Sequence, residues 1–224
     1  MLQLTSEDHA KVSAAIAAAE AKSDGEIVAV ATPLSDSYHD AALHWSVLAL
    51  IATLAASAAY PPLLEFWFRT FFGGWHPDPN LRELLTLLLF LAVTKFVAVL
   101  LTLKYMPLRL ALTPAATKTR RVRRRAIATF KAGAERRTIG RTGILIYLSL
   151  GEHRAEIVAD EAIVKVTDEA TWGEAMVALL TEVRAGRVGD GIVAAIREVG
   201  QVLETHFPRS STDTNEIPDK LIEL

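Results

Sequence analysis

The sequence predicts an α/β fold, a small mixed sheet flanked by helices, with a two-helix transmembrane hairpin inserted in it. Two windows, Trp45 to Leu64 and Leu84 to Leu103, are twenty residues long, the first without a charged side chain and the second with only Lys95. Each is long enough to cross a bilayer. A β-branched run before them, Glu26 to Ala31, and another after them, Thr142 to Leu150, have strand length and turn residues on both sides. A lone strand cannot form a sheet, so the first run must pair with the second across the apolar windows. The soluble part is therefore split into 1–35 and 114–208, with a hairpin over 42–104 and a polar, mobile tail over 209–224.

Each element has local signals. Thr5 followed by Asp8 reads as a capping box for a helix from Ser6 to Ala21, with Val12, Ala15, Ile16 and Ala19 on one stripe. Ser23, Asp24 and Gly25 end it before the first strand. The first apolar window follows a patterned, charged segment, so it reads as a retained span and not as a cleavable signal. Its connector, from Glu65 to Glu83, carries two basic residues, Arg69 and Arg82, whereas Lys104 to Arg125 is rich in Lys and Arg. By the positive-inside rule both termini face the cytoplasm, and Tyr60, Phe66, Trp67, Phe68, Phe71, Phe72 and Trp75 form an interfacial belt on the far side. Thr113 and Pro114 start a basic helix to about Arg137. Thr142 to Leu150 and Glu156 to Ala159, about the turn Gly151-Glu152-His153, make a β-hairpin. Thr171 with Glu174 opens a helix that Gly186 ends, and Asp190 caps a last helix that stops before Pro208.

The order EIVAVA, TGILIYLSL-GEHRAEIVAD, TWGEAMVALL and RAGRVGDGIVAAIREVGQVLETHFP, with LTP at Leu112 to Pro114, resembles the TPM domain family in its bacterial membrane-protein branch. The similarity covers about residues 4–208 and is most specific over 142–208. It implies a compact α/β domain with a small central sheet, in a multi-pass protein of the bacterial inner membrane. For some family members it also implies acid phosphatase activity or calcium binding, and for eukaryotic ones roles in photosystem repair or receptor modulation. The family's cation site has an acidic residue before the central strand, in an Asp-Asn-Gly type sequence; here Arg141, Thr142 and Gly143 stand there. A fixed positive charge opposes calcium, which wants six to eight oxygens, several of them charged. Arg141 is expected to pair with Asp160 or Glu161 in the cation's place, so no cofactor is expected.

Composition and motifs exclude much other chemistry. With no cysteine there are no disulfides, thiolate zinc sites or cysteine nucleophiles. The net charge of −2 makes any basic site local. The six histidines include no HExxH, and the loose pair His39 and His44 precedes a span; no Walker loop or GxGxxG is present. Asp160, Glu161 and Asp190 remain as candidate metal ligands for an alternative reading, a weak metal-assisted acid phosphatase. Asp190 also fits an N-cap.

The run KTRRVRRR places Lys118, Arg120, Arg121, Arg123, Arg124 and Arg125 shortly after the second span. Without interleaved aromatics it does not suit nucleic acid. It suits anionic lipid, at about 1 kcal/mol per basic residue near a charged leaflet, or a topology signal. Lys95 sits roughly 12 Å from the cytoplasmic end of its helix at 1.5 Å per residue. Its ammonium is expected to share Thr53 at matching depth or to face a helix of another membrane protein. The function these features suggest is a binding, scaffold or quality-control module of unknown ligand, or else a passive anchor for a larger complex. Low-micromolar calcium is expected to leave the thermal unfolding temperature unchanged; a clear rise would refute the substitution of Arg141 for a cation.

Overall fold

Strand β1 (Glu26–Thr32) is buried along its whole length, and so is β2 (Gly143–Ser149). That explains why both read as unbroken apolar runs and not as alternations: each is covered on two faces. In the computed structural model, which describes residues 4–72, 79–133, 142–167, 170–210 and 218–224, they are parallel neighbours from Glu26↔Gly143 to Thr32↔Ser149. The pairing expected across the apolar windows is present. β3 (Arg154–Ala159) returns antiparallel to β2, and β4 (Leu221–Glu223) lies parallel to β1, giving the order β3-β2-β1-β4.

The chain folds into two compact units, 1–36 with 115–224, and 37–114. In the first, Ile27, Ala29, Ala31, Ile144, Ile146 and Leu148 face a core completed by α1 (Ser6–Glu20), α8 (Gly173–Arg184) and α9 (Val188–His206). The alternate residues Val28, Val30, Leu145 and Tyr147 face Val122, Ala126 and Phe130 of α6 (Ala115–Gly133). The period of two in the strands thus sends alternate side chains into two helix layers. The capping box of Thr5 and Asp8 is formed, each side chain bonding the other's backbone N–H. Gly186 adopts φ +82° after α8, where a side chain would be strained. At Gly191 a Cβ would stand 2.8 Å from the Leu179 carbonyl, so glycine permits the close approach of α9 to α8.

In the second unit α2 (His39–Ala59) and α4 (Leu81–Thr102) pair along their lengths. Both are long and apolar enough to cross a membrane. The buried residues of α2 are small, Ala42, Ser46 and Thr53, and small residues let two apolar helices approach closely. Their outer faces, including Leu48, Ile51, Leu89 and Phe90, are more than half exposed. α3 (Pro62–Phe72) packs Leu64 and Phe68 on Leu87 and displays Phe66, Trp67, Phe71 and Phe72. After α4, Arg109 in α5 (Met106–Ala111) is buried, donating from Nε to the Leu103 carbonyl and from Nη1 to that of Ser37, 2.6 Å away. One guanidinium thereby ties the beginning of the unit to its end.

Several sequence expectations are corrected. The first apolar helix starts at His39 and ends at Ala59, because Pro61 and Pro62 interrupt the window read through to Leu64. Thr113 spends its hydroxyl on the Arg109 carbonyl. α8 begins at Gly173 behind a 3₁₀ turn over Ala170–Trp172, with Trp172 and not Thr171 at its N-cap. Arg187 precedes α9, so Asp190 lies inside the first turn and is not its cap. The described parts of the tail expected to be mobile are anchored: Arg209 N donates to Lys22 O, Ser210 N to the Asp24 carboxylate, and 221–223 form β4. The end of the predicted basic helix falls outside the described residues.

Leu221 is 4% exposed and seals one edge of the sheet core. Leu221→Ala is expected to lower stability by about 2–3 kcal/mol and to speed hydrogen exchange of the β1 amides, measured on the full chain.

Candidate functional site

The first half of α6 gathers its cations on a defined face. Residues 120, 121, 124, 125 and 128 recur at three and four places, and with Ser35 and Asp36, which follow β1, they line a cleft of about 650 Å³. Four guanidinium groups stand against one carboxylate there. Arg121 is oriented by Asp36, with Nη1 3.0 Å from Oδ1. Arg125 lies within hydrogen-bonding reach of the buried Tyr147 hydroxyl, which is 3.2 Å from Ser35 Oγ. Burial pushes the Tyr147 hydroxyl above its ordinary pKa, so it stays protonated. Arg120 and Arg124 are exposed and make no hydrogen bond or ion pair among the described residues.

The floor of this region is fixed by Glu152, which is 6% exposed. Its carboxylate accepts from Ser35 N at 2.9 Å and from the Ser149 hydroxyl. Ser149 is itself fully buried, which keeps its hydroxyl from a substrate. Lys118 and Arg123, of the same basic run, do not line the cleft.

The candidate metal ligands are not brought together. Asp160 Oδ2 accepts from Gly143 N at 3.2 Å and Asp160 N returns a bond to Gly143 O, which closes the open end of the β hairpin. Glu161 pairs with Lys165, and Asp190 with Lys11 at 3.5 Å and Arg187 at 3.9 Å. Among the described residues no three acidic or histidine side chains are placed to hold a metal ion. The reason is local: each of the three carboxylates serves a cation or backbone group of its own neighbourhood. The expected pairing of Arg141 lies outside the described residues. Thr53 is buried and donates to the Ala49 carbonyl, whereas Lys95 is exposed; no hydrogen bond joins them.

A second polar feature had no signal in the sequence. Glu20, at the end of α1, is 8% exposed and accepts from Ile27 N at 2.7 Å, with Glu26 and Asp219 close enough to influence it. Burial first, then the neighbouring carboxylates, push its pKa up to about 9. These residues are distant in sequence from Asp219 and meet because β4 lies beside β1.

No protein-family model matches the chain, and no curated protein does either. Among solved structures, the NMR structure of BA42 protein from the psychrophilic bacterium Bizionia argentinensis sp. nov. is similar in fold. It has a TM-score of 0.56 and 17% identity, over 98% of this chain and 94% of that one.

A carboxyl group with a raised folded pKa holds its proton in the native state after the unfolded chain has lost it. Its contribution to stability is full below the ordinary value of 4.5 and is lost as pH rises through about 9. Stability is therefore expected to fall across that window. Glu20→Gln, which keeps an acceptor for Ile27 N, should flatten the decline and leave the variant the more stable form at pH 8 to 9, as read from denaturant midpoints.

Proposed function

We propose that this chain is a membrane-embedded binding module. In this reading α2 and α4 cross a bacterial inner membrane, both termini are cytoplasmic, and the sheet-centred unit is TPM-like and serves as a scaffold or quality-control element. The observation that carries it is the exposed apolar surface of a helix pair 21 and 22 residues long, inserted between two neighbouring strands of one sheet. In water those outer faces would each forfeit about 25 cal/mol per Å² of apolar area, whereas acyl chains remove the penalty. The insertion's two ends must return to adjacent strands, which fits an even number of crossings. The aromatic face of α3 suits the headgroup level of the outer leaflet.

The basic run on α6 follows the second crossing directly and suits the anionic inner leaflet. An enzymatic reading has less support: the carboxylates it would need are dispersed, and Ser149 is fully buried. A specific observation favours a protein partner as well. Lys95, exposed on an apolar helix, has no partner among the described residues, and an ammonium facing hydrocarbon is costly, so a polar group on another transmembrane segment would stabilise it.

The absence of cysteine makes the topology directly measurable. Single replacements Ala14→Cys, Thr70→Cys and Gln201→Cys place a thiol on exposed positions of α1, α3 and α9. An impermeant maleimide applied to intact spheroplasts is expected to label only the Thr70→Cys protein, and all three after permeabilisation. Labelling of either terminal position in intact cells would refute the orientation.

A further inference from the structure

We infer that the cleft between Ser35–Asp36 and the first half of α6 is a discrete site for one phosphate ester, the headgroup phosphate of an anionic phospholipid. Arg120, Arg124 and Arg125 would reach the phosphate while Asp36 holds Arg121 in place. The inference rests on the membrane reading for the source of the phosphate, and on the cleft alone for its chemistry.

The electrostatics of α6 call for an anion. Every cation from Lys118 to Arg125 lies in the helix's first three turns, and the first turn has no acidic residue. Arg120 with Arg124 and Arg121 with Arg125 are also like charges four places apart, an unfavourable spacing. Asp36 offsets one of these charges through Arg121. A bound phosphate would relieve the remaining guanidinium repulsion.

The shape points to a site and not to a diffuse patch. The lining is concave, with Arg121 held by Asp36 and Arg125 close to the Tyr147 hydroxyl. Flanking them, Arg120 and Arg124 keep their donors uncommitted among the described residues, and a guanidinium presents a planar fork that matches two phosphate oxygens. Ser35 adds a neutral hydroxyl to the rim. Connectivity selects lipid over soluble phosphate. Asp36 is the last residue before the apolar unit and Ala115 the first after it, so the two walls are the segments through which the chain enters and leaves the hairpin. In the membrane reading, those segments lie at the level of the phospholipid phosphates.

Calorimetric titration of the full chain in nonionic detergent tests this, using dihexanoyl phosphatidylglycerol, dihexanoyl phosphatidylcholine and inorganic phosphate as separate ligands. Saturable one-to-one binding of phosphatidylglycerol, absent with phosphatidylcholine, is expected. Arg124→Gln should weaken it about tenfold, the loss of one charge-assisted contact. Arg123→Gln removes the same charge from a residue outside the cleft and should stay within about twofold. Equal losses in the two variants would reduce the site to diffuse charge and overturn the inference, as would saturable binding of neither anion. Binding of inorganic phosphate without phosphatidylglycerol would support the phosphate site and overturn its lipid source. Because these lipids bind as single molecules, the titration reads the cleft whether or not α2 and α4 cross a bilayer, and thiol labelling reads the crossings separately. Unchanged helical circular dichroism of Arg124→Gln excludes loss of α6 as the cause of weakened binding.

Discussion

Seven consecutive residue pairs join β1 to β2, and between their last and first residues the chain leaves, builds an apolar helix pair and comes back. That parallel pairing is the constraint on which the molecule depends. Closing so long a loop has an entropic cost, but one that grows only logarithmically with length, so a sheet can carry a large insertion between neighbouring strands. In return the backbone groups of both strands are satisfied where no water reaches them, and their side chains fill two cores at once. Without this pairing, β1 would be a short apolar segment beside a helix, β4 would have no strand to join, and Val122, Ala126 and Phe130 of α6 would lose Val28 and Val30 from their cluster.

The two units solve the burial of apolar surface differently. In the sheet-centred unit, large side chains interlock around Tyr147, Ile144, Leu148 and Ile196, all essentially inaccessible. In the helix pair, small residues on α2 let the backbone of α4 come near, and most of the large side chains point outward. The first pattern is that of a core made by excluding water; the second is the packing that the proposed membrane reading requires. Arg109 is the exception that fits. Its buried guanidinium satisfies carbonyls at Leu103 and Ser37 that the chain leaves uncapped where the helical hairpin closes.

Charge placement follows the same division between local and long-range causes. Asp8, at the third position of α1, has a carboxyl held below its ordinary value, first by the Thr5 backbone N–H, as expected at a helix start. α6 departs from that pattern, with no acidic residue in its first turn and like charges four places apart beyond it. Glu20 is a second departure, a carboxyl kept in its neutral form beside two others because the fold removes it from water. Such departures are where local preference has yielded to another requirement.

The strands, the helix starting at Ser6, the β hairpin and the two apolar helices were legible because each is written in contiguous residues: a β-branched run, a capping box, a turn, an uncharged stretch. The distant strand pairing was legible too, since an unpaired strand has no stable form. The basic run was visible as composition, but its separation into cleft-lining arginines and the outlying Lys118 and Arg123 required the helix to be set beside Ser35 and Asp36. β4 carries too few residues to announce a strand and exists only because β1 offers an open edge. The dispersal of Asp160, Glu161 and Asp190, and the meeting of Glu20 with Asp219, were likewise decided in three dimensions. Periodicity and apolar length are properties of neighbours along the chain and can be read there; which charges meet depends on contacts between residues far apart in sequence, and only the folded chain makes those.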